Sequence, residues 1–168
     1  ANLTVFFTRR VSSESEEDAF TLGMLHNCGI PLLMESAPEY RNFLKNTPTE
    51  SITNFLAMEK AKYGFHHFQI SYQIAKRWQF PEAVTQAIAL QGKETNIIGR
   101  IKNVSEGSKL LACSLILAKD VSQNYRHYWR IENTQQKYEN LRPILDYVGI
   151  PDTDYIDLRE DLIAHLDQ

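Results

Sequence analysis

The stretch Glu17-Asp18-Ala19-Phe20-Thr21-Leu22-Gly23-Met24-Leu25-His26-Asn27-Cys28-Gly29 carries the architecture of this chain. From Ala19 to Met34 nearly every residue is apolar, except Thr21, His26, Asn27 and the Gly29–Pro31 break. A helix that is apolar all round belongs in an interior, so other helices must pack around this one. His26 and Asn27 are then expected to be buried, each with a hydrogen-bond partner. Ser13 with Glu16 reads as a capping box, and Glu14, Glu16, Glu17 and Asp18 suit the positive end of the helix. Gly29 reads as its left-handed cap and Pro31 as its stop.

Outward from there the period stays helical. Thr4–Thr8 reads as a partial leading helix, and Asn96–Val104 is open between strand and helix. Further helices are expected around Tyr40–Lys45, from about Glu50 to Tyr63 (capped by Thr49 and Ser51, closed by Gly64), and over about His67 to Gln79. Pro81 suits the first residue of the next, which ends near Gln91–Gly92. Ser108 reads as the cap of a very apolar helix to about Lys119, and Val121–Asn133 is ambiguous. The tail reads as short helices at Gln135–Asn140 and Pro143–Val148, then an acidic one from Asp154 to Leu166. The expectation is a compact, all-α, multi-helix bundle.

The 168 residues suit one domain, with a leading piece at 1–12, a core at 13–91 and C-terminal helices at 92–168. With 43% hydrophobic and 23% charged residues, disorder and low complexity are not expected. No apolar run reaches the ~18 residues of a membrane span. Arg9 and Arg10 follow the first apolar residues instead of preceding them, so no signal peptide is expected. Cys28 and Cys113 sit in apolar surroundings and form no spaced framework, which fits a reducing, cytoplasmic setting. A net charge of −3 argues against charge-driven nucleic-acid binding.

The informative positions are polar residues on apolar faces. His67, Ser71, Ile74 and Trp78 form one helical stripe, which turns His67 and Trp78 together toward the core. Val84, Ala87, Ile88 and Gln91 share another face, and Ser114 interrupts Leu110–Ala118. Taken singly, each polar residue reads as a satisfied member of the core. Taken together, His26, Asn27, His67, Gln91 and Ser114 read as the lining of one pocket in a helical bundle.

The opening stretch resembles the "eeAfxxGLLHDIG" signature of the HDOD family. Glu59, Gly64 and His67, then Trp78, Phe80, Pro81 and Ala87-Ile88, resemble its "E…G…H…W.LP…aI" segment. The resemblance runs over about Ser13–Gln91. It implies an all-α bundle similar to HD-type metal-dependent phosphohydrolases, and a chain that lacks the family's upstream helices. Those hydrolases hold one or two metal ions with an upstream His, a His-Asp pair, further histidines and a late Asp, and the ion activates water for attack on a phosphoester. Here His26 is followed by Asn27, not Asp. No His occurs in residues 1–18, Leu90, Gln91 and Gly92 stand where a His pair is expected, and the late Asp position falls near Cys113–Ser114. The resemblance therefore implies a bacterial signal-transduction module with no catalytic residues, no bound metal and no cofactor. It would act through a signalling protein partner, with a vestigial pocket open to a small regulatory ligand, and with neither nucleic acid nor membrane as partner.

Two alternatives stand beside it. One is a divergent metal-dependent phosphohydrolase of a nucleotide or phosphodiester. The other is a nucleotide-binding regulator that uses Arg126, Trp129 and Arg130 in the stretch Tyr125-Arg126-His127-Tyr128-Trp129-Arg130. Helical spacing favours a surface helix that packs Tyr125, Tyr128 and Trp129 inward. Lys76 and Arg77 read as a solvated face, and the adjacent His66 and His67 point about 100° apart, too divergent to share one ion unaided. The acidic start of the last helix reads as dipole complementarity, without the spacing of a Ca²⁺ loop.

Overall fold

A computed structural model describes residues 1–47, 52–126 and 134–166, and side chains are described outside 124–138 and 166–168. Among the described residues there is no strand. The helices are α1 (Asn2–Val11), α2 (Glu16–Leu25), α3 (Gly29–Ser36), α4 (Tyr40–Asn46), α5 (Ile52–Tyr63), α6 (His67–Arg77), α7 (Glu82–Leu90), a 3₁₀ turn at Thr95–Arg100, α8 (Glu106–Arg126), α9 (Thr134–Val148) and α10 (Asp152–Leu166). The segment left open at Asn96–Val104 thus opens as 3₁₀ helix, with Ile98 fully buried beneath it.

The long α8 is the central post. Leu111, Ala112, Cys113, Leu115, Leu117 and Ala118 are buried along it, and α1, α2, α7, α9 and α10 pack against it. Phe7, Leu22, Ile88, Ile144, Leu145 and Tyr155 close the same core. Tyr155 donates its hydroxyl to Asp120 at 2.8 Å, and Arg159 lies 3.7 Å from the same carboxylate, which ties α10 to α8. A smaller apolar cluster of Phe55, Leu56 and Phe68, with Phe43 and Leu44, joins α4, α5 and α6.

Several local expectations shift. Ser15, not Ser13, caps α2, because its side chain accepts from the Asp18 N–H. Gly29 does not end that helix. α2 stops at Leu25, and Gly29 opens α3, where Pro31 sits in the first turn and needs no intrahelical donor. Ser105, not Ser108, accepts at the head of α8, from the Ser108 N–H at 3.1 Å, while the Ser108 hydroxyl donates to Gln86. α8 also runs past Lys119. The two short tail helices are one, with Pro143 inside it. Leu141, Ile144 and Leu145 lie on both sides of that proline and are buried in the main core, which outweighs one lost backbone bond. Trp78 is not in the core. α6 ends at Arg77, Gln79 takes a φ of 57°, and the indole swings out to 66% exposure.

Candidate functional site

The centre of interest forms where the starts of α3 and α6 meet the ends of α2 and α7. α5 closes at Gly64, whose φ of 84° suits glycine. His66 then caps α6: its Nδ1 accepts from the Gln69 N–H at 3.2 Å, and the Gln69 side chain accepts from the His66 N–H at 3.0 Å. His67 turns inward instead. Its Nδ1 donates to Glu59 at 2.8 Å and its backbone N–H donates to the same carboxylate at 3.1 Å. Tyr40 adds its hydroxyl as a further donor. Glu59 is fully buried, and these partners are what make a buried carboxylate tolerable. Burial, then the bond and charge of Glu59, raise the Tyr40 hydroxyl above its ordinary range.

α3 seats itself on this structure through Gly29. Its N–H donates to the Ser71 hydroxyl at 2.9 Å, and that hydroxyl donates to the His67 carbonyl at 3.1 Å. A Cβ on Gly29 would stand 2.2 Å from the His67 carbonyl oxygen, a backbone atom with no rotamer to change. Gly29→Ala is therefore expected to cost at least 1–3 kcal/mol. At about 2–4 °C per kcal/mol for a chain of this size, a melting curve reads that directly. An unchanged midpoint would refute the close seating.

His26 is half-buried at the end of α2, where its Nδ1 donates to the Gly23 carbonyl at 3.1 Å. Burial, then the charge of Lys119, hold its imidazole down at about 4, so it is neutral at pH 7. The Asn27 Oδ1 is buried and, among the described residues, has no donor. Gln91 is buried at the end of α7; its side-chain amide donates to the Ala87 and Ala112 carbonyls, and among the described residues its Oε1 has no donor. Ser114 donates within its own helix to the Leu110 carbonyl. Cys113 beside it is buried, and burial pushes its thiol up to about 12. The Arg126 side chain, and all of Trp129 and Arg130, lie outside the described residues.

The fold therefore draws the turn bearing His26 and Asn27 against the start of α6, where His67 sits. It adds two residues that the sequence reading did not place there. Glu59 was legible only as a motif letter eight positions before His67. Lys119 looked like the polar end of an apolar helix.

Among the described residues, no three His, Cys, Asp or Glu side chains gather as a metal site. The carboxylate of Glu59 beside His67 is already bound by three donors. An open groove of about 550 Å³ lies elsewhere, lined by Thr95, Arg100, Arg142 and Tyr147 among others. No helix of the described residues is long and apolar enough to cross a membrane.

The all-α bundle, with His26 and Asn27 after α2 and His67 turned inward at the start of α6, has the fold that the sequence resemblance implied. The sequence model of the HDOD domain matches residues 4–93, and the chain belongs to the HDOD family. It is similar in fold to the crystal structure of the MmoQ response regulator from Methylococcus capsulatus strain Bath, with a TM-score of 0.66 and 22% identity over 94% of this chain. It spans 56% of that regulator's length. No curated protein matches it.

Proposed function

We propose that this chain is a non-catalytic regulatory module of a cytoplasmic bacterial signalling protein, which works through contacts with a protein partner and keeps a vestigial HD pocket. One observation carries the reading: the inward carboxylate of Glu59 is committed to His67 and Tyr40, while the position beside His26 holds a neutral amide. A divalent ion that activates water needs anionic oxygen ligands and an open coordination position. What survives is the hydrogen-bonded frame that once positioned such a site. The exposed Trp78 and Met24, at 66% and 64%, supply apolar surface for partner contacts.

Calorimetric titration with Mn²⁺, Mg²⁺ and Zn²⁺, paired with a panel of nucleotide and phosphodiester substrates, tests the reading. The expected result is no saturable heat and no turnover. Stoichiometric metal binding that disappears in His26→Ala would establish the divergent hydrolase instead.

A further inference from the structure

We propose that the cleft between α6, the end of α7 and residues 101–104 is a docking site for a bulky apolar side chain carried on an acidic segment of a protein partner. The cleft has a volume of about 260 Å³. Ala89, Leu90, Ile101 and Val104 supply its apolar lining, and Tyr72 and Lys93 add a hydroxyl and an ammonium. These residues come from separate elements, Tyr72 from α6, Ala89 and Leu90 from α7, and Ile101 and Val104 from the segment after the 3₁₀ turn. Tyr72, Ile101 and Val104 also pack against the main core. Gln86, on the same lining, is held in place. Its Oε1 accepts from the Ser108 hydroxyl at 2.9 Å and from the Ser105 N–H at 3.3 Å, and its amide donates to Glu82 at 2.6 Å. The cleft is therefore shaped before any partner arrives, which lowers the ordering cost of binding.

Charge and size select the occupant. The Lys76 Nζ lies 6.0 Å from the centre of the Tyr72 ring, so a second ammonium stands beside the cleft. Lys76 and Lys93 are both exposed, and among the described residues neither has a carboxylate partner. No carboxylate is among the residues that line the cleft. Two uncompensated cations beside an apolar recess favour an acidic segment and disfavour a basic one. Sites for free cofactors and drug-sized ligands run to roughly 300–1,000 Å³. This cleft is smaller and has room for one bulky side chain. The larger groove beside α9 mixes Arg100 and Arg142 with Glu139 and Asp146, and so prefers neither sign of charge.

The inference rests on the reading of this chain as a non-catalytic module with a protein partner, and supplies that partner's chemistry. The two fail separately: metal binding or turnover defeats the module, whereas the outcomes below bear on the cleft alone. The test is selection from a randomised peptide library on the whole chain, followed by titration of the enriched peptides and amide NMR. Enriched peptides should carry Asp or Glu around one Leu, Ile, Met or Phe. They should shift the amides of Tyr72, Ala89, Lys93 and Val104, and bind more weakly as salt rises. Lys76→Glu combined with Lys93→Glu should weaken binding roughly tenfold, the scale of two exposed charge pairs lost. Ala89→Leu, which fills the cleft from an exposed position, should weaken it roughly thirtyfold, the scale of a lost anchor. If that variant folds poorly, the lysine pair still decides. Lys45→Glu, at an exposed lysine on α4, should leave binding unchanged. No enrichment, enrichment of basic or uncharged peptides, amide shifts confined to other surfaces, or undiminished binding by the cleft variants overturns the proposal. Self-association that the same substitutions abolish assigns the cleft to a second copy of this chain, and overturns it too.

Discussion

Glu59→Ala is expected to cost about 3–5 kcal/mol, since each buried donor left without an acceptor costs about 1–3 kcal/mol. The substitution strips the acceptor from three donors at once: the Tyr40 hydroxyl, the His67 backbone N–H and the His67 Nδ1. Each would be left in a low-dielectric interior without water to replace the lost oxygen. The damage should spread to α3, because Gly29 and Ser71 are seated on the His67 backbone. Urea unfolding with an unchanged slope reads the loss. Glu59→Gln keeps one acceptor oxygen and should recover part of it. A loss below about 1 kcal/mol for the alanine variant would show that the network contributes only what an exposed pair does.

Acidification is the second large effect. The imidazole of His26 is held at about 4, against an ordinary 6.5, by burial first and by Lys119 second. The unfolded chain therefore takes up a proton in a range where the folded chain refuses it. The contribution is complete above pH 6.5, declines as the pH falls, and is lost by about pH 4. At 1.36 kcal/mol per pH unit, and allowing for the solvent that reaches a half-buried ring, the loss is about 2–3 kcal/mol. Unfolding free energies at neutrality and at the acid limit, compared between the native chain and His26→Gln, isolate it. The acid loss should shrink in the variant by that amount. It should also shrink in Lys119→Met, by less, because burial remains. Equal acid sensitivity in the native chain and His26→Gln would contradict the assignment.

How far the sequence could be read depended on the range of the interaction concerned. The helices around Tyr40, Glu59, His67 and Val84 were legible because apolar spacing at 3.6 residues is local information. The cap of α2 was misplaced by two residues, since Ser13 and Ser15 offer the same chemistry and only the chain path chooses between them. Trp78 looked internal because the stripe was extended one residue past the end of α6, where Gln79 turns the backbone through a left-handed conformation. Pro143 looked like a break because the packing of Leu141, Ile144 and Leu145 against α8 cannot be seen in a linear pattern. His26, Asn27, His67 and Gln91 could be named as inward polar groups, but not what each one meets.

By itself, then, the order of residues settled the all-helical class, the family and the absence of an acid beside His26, since these follow from periodicity and from letters at fixed spacing. Only the folded chain decided which polar atoms are satisfied. Glu59 reaches His67 around a turn, Lys119 reaches Phe68 from a helix far along the chain, and the side-chain oxygens of Asn27 and Gln91 meet no donor among the described residues. Those outcomes depend on distances of a few ångströms between separate helices, and hydrogen bonding and desolvation act at that range and not along the sequence.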